Sequence, residues 1–245
     1  MFSKADFGAL NVVGQFNLGF ILATLHGEDL FIIDQHASDE IFNFERLYRT
    51  TQLTRQPLLV PQPLELSPAD AQIVLQHMDV FRANGFDIDE VHDNVGDPSQ
   101  VCAPRLRLTA VPVSKNVTFD AGDFHELVAL LDGRPVGTQP PAAGPFGSLE
   151  NGIIRPAKMR SMLAMRACRS SIMIGRALDK PQVRARCPLA KYYHIVTGSP
   201  PGAQMARVLA NLTVLKAPWN CPHGRPTMRH LVADIGMLAN KFGDD

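Results

Sequence analysis

The sequence predicts an α+β domain, and three observations carry that expectation. Two apolar, β-branched runs flank a short polar turn near the N-terminus, as in a strand hairpin. Several later segments repeat apolar residues at spacings of three and four, the period of a helix with one buried face. A second pair of strand-like runs, able to pair with each other, sits among those helices.

Taken in order, Phe7 to Phe20 is punctuated by Gly and Asn and runs into Phe20–Leu25, a strand. His26-Gly27-Glu28-Asp29 is a solvated turn, and Leu30–Ile33 returns as the partner strand. A helix from about Ser38 to Tyr48 follows, with Ile41, Phe44, Leu47 and Tyr48 on its apolar face. Gln56 to Pro63 holds three prolines, which exclude helix and favour an exposed extended strip, a linker or an edge strand. Ser67 and Pro68 supply the N-cap and first position of a helix running to Asn84, with His77 packed in its apolar stripe and Gly85 at its end. Phe86–Asp89 and Leu106–Val111 read as strands able to pair, with Cys102 in the loop between them. Phe124, Leu127, Val128 and Leu131 mark a helix over Ala121–Leu131, and the proline- and glycine-rich stretch from Gly133 to Gly152 reads as a loop. Pro156 opens a long helical pattern to Ile174, whose Met-rich face suits core packing and whose Cys168 reads by default as a structural thiol. Further helices are expected from Gln204 to Leu215 and from Met228 to Leu238.

Composition bounds the class of protein. A chain of 245 residues with 45% apolar and 20% charged residues suits a globular fold with a sizeable core. Lys+Arg and Asp+Glu are equal at 24 each, so any contact with nucleic acid rests on a local patch or a partner. No apolar run is long enough for a membrane span, and Met1 to Asp6 lacks the pattern of a signal peptide. The irregular spacing of Cys102, Cys168, Cys187 and Cys221 suggests thiols in a reducing, intracellular setting rather than a disulfide framework.

The chemistry concentrates in two places. Asp34 stands where a strand ends, and His36 and Glu40 are four apart on the first turns of the next helix, hence on one face. An imidazole and a carboxylate so placed can hold a divalent metal, or they can simply be a solvated helix start. Far downstream, Cys221 and His223 are two apart in a loop stiffened by Pro222 and Pro226 and would point the same way in an extended segment. Thiolate and imidazole favour Zn²⁺, whereas the carboxylates of Asp34 and Glu40 also accept Mn²⁺ or Mg²⁺. With Cys168 added, the set exceeds the four ligands of a structural zinc and suits a catalytic metal with an open position.

Asp34-Gln35-His36-Ala37, two residues, Glu40, four residues and Glu45 resemble the DQHA-x2-E-x4-E signature of endonuclease-type MutL proteins. Ala167-Cys168-Arg169 and Cys221-Pro222-His223-Gly224-Arg225-Pro226 are similar to that family's two further motifs, in the family's order. Gly14 to Phe20 looks like its opening strand. The chain as a whole resembles the C-terminal domain of a eukaryotic PMS-type subunit of DNA mismatch repair.

That resemblance implies a latent, metal-dependent endonuclease that nicks duplex DNA after mismatch recognition, in the nucleus. It assigns His36, Glu40, Cys168, Cys221 and His223 as metal ligands, with Asp34 beside the metals and Glu45 closing the helix signature. Arg169 and Arg225 become candidates to hold phosphate or to pair with a site carboxylate. Zn²⁺ would have a structural or regulatory share and Mn²⁺ would support the strongest nicking, with Mg²⁺ an alternative. Gln56, Leu58, Leu59 and Pro61 resemble the family's sliding-clamp motif, with the Leu pair exposed for docking. The implied architecture is two-lobed: residues 1–64 and 161–245 form a dimerisation lobe that pairs with an MLH-type subunit, and 65–160 an outer regulatory lobe. Nothing in the sequence resembles the family's N-terminal ATPase, which suggests an excised domain or a truncated product. The alternative function is a zinc-stabilised dimerisation and clamp-docking module without catalysis.

One stretch departs from the pattern. Gln182 to Gln204 reads as an insertion, either an in-frame retained intron or a lineage loop, and Cys187 and His194 within it are excluded from the site. Sequencing the transcript separates the origins: a spliced message lacking the stretch establishes the intron, and uniform retention rules it out.

Overall fold

The computed structural model describes residues 2–91, 105–114, 117–133, 154–178 and 203–233. Cys102, Cys187, His194, residues 134–152 of the expected loop and residues 182–202 of the expected insertion lie outside these. The architecture is α+β, with two antiparallel sheets and six α-helices among the described residues. The chain divides into two compact units, Met1–Arg46 with Ala164–Asp245, and Leu47–Leu163. None of the described helices is long and apolar enough to cross a membrane.

The first unit opens with a short 3-10 helix, Lys4–Ala9, and strand β1, Leu10–Phe16. β2 (Phe20–Leu25) and β3 (Asp29–Asp34) form the expected hairpin, with Leu25 opposite Asp29. Ile21, Ala23 and Leu25 alternate inward on β2, as a strand with one buried face requires. Helix α1, Gln35–Thr50, follows β3 directly, so the strand aims the first helical turn. In the β1–β2 turn, Asn17 and Leu18 both take left-handed φ, at 46° and 49°. For Leu18 that conformation costs on the order of 1–2 kcal/mol. It is offset because the Leu18 carbonyl then accepts hydrogen bonds from Gln35 Nε2 at 3.0 Å and Gly175 N at 2.9 Å.

Two expectations in this unit are corrected. Residues Met228–Val232 form a strand, β8, not the start of a helix. The strand completes a sheet of order β1-β2-β3-β8, pairing Phe31 with His230 and Ile33 with Met228. Pairing with the open edge of β3 satisfies the backbone there, and His230 stacks on Phe31 at 4.7 Å. The Met-rich helix, α5 (Ala157–Ser170), also stops short of Ile174. Ser170 and Ser171 turn their hydroxyls back to the Ala167 carbonyl at 3.0 and 2.6 Å, competing with the helical ladder. Helix α6, Ala203–Val214, buries Met205, Val208, Leu209 and Leu212.

The second unit contains β4 (Thr54–Pro63), α2 (Pro68–Gln76), α3 (Met78–Ala83), β5 (Asp87–Val91), β6 (Arg105–Ser114), β7 (Val117–Thr118) and α4 (Ala121–Leu131). β4, β6 and β5 make one sheet with β4 at its edge. The strip at 56–61, expected with the first lobe, therefore groups with this unit, because β4 hydrogen-bonds to β6. Pro57 pairs with Ala110 and Gln62 with Leu108, so the intervening residues bulge from the ladder. The predicted single helix over 67–84 is two, broken at His77, whose ψ of 29° departs from the helical path. Gly85 is demanded by its φ of +89° and by Pro112, whose Cβ would lie 2.9 Å from a side chain there. Arg155, only 2% exposed, donates to the Tyr48 and Thr51 carbonyls at 3.1 and 2.7 Å, meeting orphaned acceptors near the end of α1.

Candidate metal centre

The first turns of α1 are buried on nearly every side, and their side chains are polar: Gln35, His36, Ser38 and Glu40 all lie below 7% exposure. Asp34 accepts from Ala37 N at 2.9 Å, so its carboxylate caps the helix. His36 and Glu40 share one face, as four-residue spacing dictates, with His36 Nε2 and Glu40 Oε2 4.0 Å apart. Cys168 arrives from the last turn of α5, its Sγ 3.6 Å from His36 Nε2.

Cys221 and His223 come from a tight turn, not an extended segment. Cys221 N donates to Arg225 O at 2.8 Å and Gly224 N to Cys221 O at 2.9 Å, while Gly224 takes a φ of +85° that a glycine alone adopts freely. The turn is tied to α1, because the Thr227 carbonyl accepts from Asp34 N at 2.8 Å and from Ser38 Oγ at 3.5 Å. His223 Nδ1 thereby reaches Glu40 Oε1 at 2.7 Å.

Glu40 is the hub. Its carboxylate is 1% exposed, and an unpaired buried carboxylate is costly. Here it is met by His223, by the Cys221 thiol and by the Cys168 thiol, with His36 close by. Burial and the hydrogen bond to Glu40 push the Cys221 thiol up to about 11. Burial, the Glu40 charge and a hydrogen bond to Glu40 raise Cys168 as well, opposed by the positive charges of Arg225 and Arg169. Both arginines are exposed.

Two ligand triads result, His36–Glu40–Cys168 and Glu40–Cys221–His223, each with its donor atoms within 4.8 Å of one another. They share Glu40. Two thiols, two imidazoles and one carboxylate fit a borderline-soft ion such as Zn²⁺, and a shared carboxylate fits either one ion or a bridged pair. All five sequence-predicted ligands are thus brought together. Glu45 stands apart from both triads: buried to 1%, its oxygens accept from Lys216 N and Ala217 N at 3.1–3.2 Å. The clamp-like strip belongs to the second unit. Leu59 and Val60 are exposed at 103% and 74%, while Leu58 packs against the core of the second unit, so the exposed apolar pair is Leu59–Val60 and not Leu58–Leu59.

Two amides that the sequence did not single out, Gln15 and Gln35, tie β1 and the start of α1 to residues 173–178. Gln35 Nε2 donates to Leu18 O and, at 3.2 and 3.3 Å, to Met173 O and Arg176 O. Gln15 Nε2 donates to Gln35 Oε1 at 2.7 Å, and Gln15 Oε1 accepts from Leu178 N at 2.9 Å. A polar residue at a strand–helix junction was the only signal available for them.

The family described as "MutL C terminal dimerisation domain" matches residues 13–139. The chain is 44% identical over 232 residues to DNA mismatch repair protein PMS1 of Arabidopsis thaliana, covering 95% of this chain and 22% of that protein. It is 44% identical over 233 residues to DNA mismatch repair protein PMS1 of Saccharomyces cerevisiae, covering 94% and 22%. With Mismatch repair endonuclease PMS2 of Homo sapiens it shares 36% over 238 residues, 97% of this chain and 22% of that one. The chain spans about a fifth of the length of these curated relatives.

Proposed function

The chain belongs to the MutL C-terminal dimerisation-domain family, and on that premise we propose that it is the metal-dependent endonuclease domain of a mismatch-repair heterodimer in the nucleus. The observation that carries the reading is the convergence of two His and two Cys, from three separate parts of the chain, on the buried Glu40 carboxylate in two triads that share it. His36, Glu40, Cys168, Cys221 and His223 would hold the metal, Zn²⁺ or Mn²⁺ with Mg²⁺ as the alternative. When bound, the metal supplies Lewis acidity toward a phosphodiester.

The chain's own residues do the rest. Glu40 collects the ligand donors around one buried negative charge. Asp34 caps α1 and so sets the direction of His36 and Glu40. Glu45 holds the chain just ahead of the Cys221 turn. Arg169 and Arg225, exposed and close enough to Cys168 to favour its charged form, would receive an incoming phosphate or pair with a site carboxylate. An MLH-type subunit would be the dimer partner, double-stranded DNA the substrate, and the strip at Gln56, Leu58, Leu59 and Pro61 the contact with the sliding clamp. Equal numbers of acidic and basic residues fit a domain that needs those partners to engage DNA.

A second reading is favoured by one observation. Asp34 and Glu45, which could have served as spare catalytic carboxylates, are both engaged in capping backbone N–H groups. A zinc-stabilised dimerisation and clamp-docking module without catalysis would look the same there. Nicking of supercoiled plasmid in Mn²⁺ by this chain co-purified with an MLH-type subunit separates the two. Nicking lost in Glu40→Ala supports the endonuclease; no nicking by a zinc-loaded wild type supports the module.

A further inference from the structure

We infer that Asp39, which belongs to neither ligand triad, is a positioning residue that fixes which nitrogen of His36 faces the metal; the inference rests on the metal reading above. His36, Asp39, Glu40 and Asn43 occur at spacings of three and four, so they line one side of α1. Against that side lies Ile172, just beyond the end of α5. Both of its backbone groups are held by α1: Ile172 N donates to Asp39 Oδ2 at 2.9 Å, and Ile172 O lies 2.9 Å from His36 Nδ1.

A carbonyl oxygen only accepts, so the hydrogen of a neutral His36 sits on Nδ1. The Nε2 lone pair then faces Cys168 Sγ at 3.6 Å and Glu40 Oε2 at 4.0 Å. A metal-binding imidazole is ordinarily oriented this way, with the other ring nitrogen donating to a fixed acceptor. The acceptor here is main chain, and a main-chain carbonyl is only as fixed as its segment. Asp39 does the fixing. Its Oδ2 also accepts from Asn43 Nδ2 at 3.3 Å, and Asn43 Nδ2 donates to Ser171 Oγ at 3.0 Å. Ser171 Oγ in turn donates to Ala167 O, one residue before Cys168. Through Ile172 and Ser171, Asp39 thus ties the His36 tautomer to the end of the helix that delivers Cys168.

The test reads the His36 tautomer by long-range ¹H–¹⁵N NMR in the full, metal-free chain, alongside Zn²⁺ affinity by chelator competition. Wild type should show the Nδ1–H form. Asp39→Ala should populate both tautomers and weaken Zn²⁺ binding by roughly 10–100-fold, the usual loss for an outer-shell partner. Asp39→Asn keeps an acceptor oxygen and should recover most of both. A folded Asp39→Ala chain with the Nδ1–H form and unchanged affinity overturns the inference. If Asp39→Ala does not fold, the wild-type chain still decides: a dominant Nε2–H form, or an Ile172 amide that exchanges at the free-peptide rate, overturns the inference. A wild type that takes up no Zn²⁺ would sink the metal reading, and the tautomer comparison alone would then judge Asp39.

Discussion

The second unit centres on a cluster of phenylalanine and aliphatic side chains, whereas the first adds to its own apolar core a set of buried amide, imidazole and carboxylate groups along α1. Phe81, Phe86 and Phe124 meet ring to ring at 4.7 and 5.6 Å, within a cluster of Leu, Ile and Val. Around α1 of the first unit the buried side chains include Gln35, His36, Ser38, Glu40, Asn43 and Glu45. A phenylalanine core is stabilised by area removed from water and tolerates any function on its surface. A polar interior is stable only when every donor and acceptor finds its partner, so it constrains sequence far more tightly. The difference teaches where to look for chemistry: in the region that accepts the more expensive interior.

Four measurements test the two interiors. Phe124→Ala should cost the protein about 3–5 kcal/mol by denaturant unfolding, the usual cost of emptying an aromatic core site; a much smaller cost would deny the second unit an ordinary apolar core. Next comes proton release. With Cys221 raised to about 11 and Cys168 raised in the same direction, both thiols are protonated near pH 7.5 in the metal-free chain. Zn²⁺ binding must displace both protons, so affinity rises with pH, by up to about 100-fold or 2.7 kcal/mol per unit. Calorimetry in buffers of different ionisation enthalpy would count those protons, and a count of zero would mean the thiols are not ligands.

Gln35→Ala removes one of the hydrogen bonds to each of the carbonyls of Leu18, Met173 and Arg176, which keep Gly175 N, Arg176 N and Gln15 Nε2 as partners, and should cost about 0.5–1.5 kcal/mol by thermal unfolding. An unchanged midpoint would show that the polar frame of the first unit contributes little. Least affected should be Leu59→Ser. Its side chain is fully exposed, so unfolding stability should move by less than about 0.5 kcal/mol while clamp-stimulated nicking falls. A large loss of stability there would mean that the strip is packed rather than free to dock.

The candidate ligand set was legible in the sequence because His36 and Glu40 fall four apart on one helix face and because the motifs at 34–45, 167–169 and 221–226 resemble those of a known family. What it hid were features decided by main chain. Cys221 and His223 converge through a left-handed Gly224 and a tight turn, where side-chain spacing alone suggested an extended pincer. Met228 to Val232 pairs with β3 because that edge was open, which no local periodicity reports. The end of α5 follows from two serines bonding back to Ala167, a competition invisible to apolar spacing. Asp39, Gln15 and Gln35 act on carbonyls and amides of other segments, so only the assembled fold reveals them.

The most direct test of the account is zinc K-edge X-ray absorption on the zinc-loaded chain. Ligation by the two thiols, two imidazoles and Glu40 predicts sulfur at about 2.3 Å and nitrogen or oxygen at about 2.0–2.1 Å, with the sulfur component diminished in Cys221→Ser. A shell of oxygen and nitrogen alone, or a chain that keeps no zinc after dialysis, would contradict it.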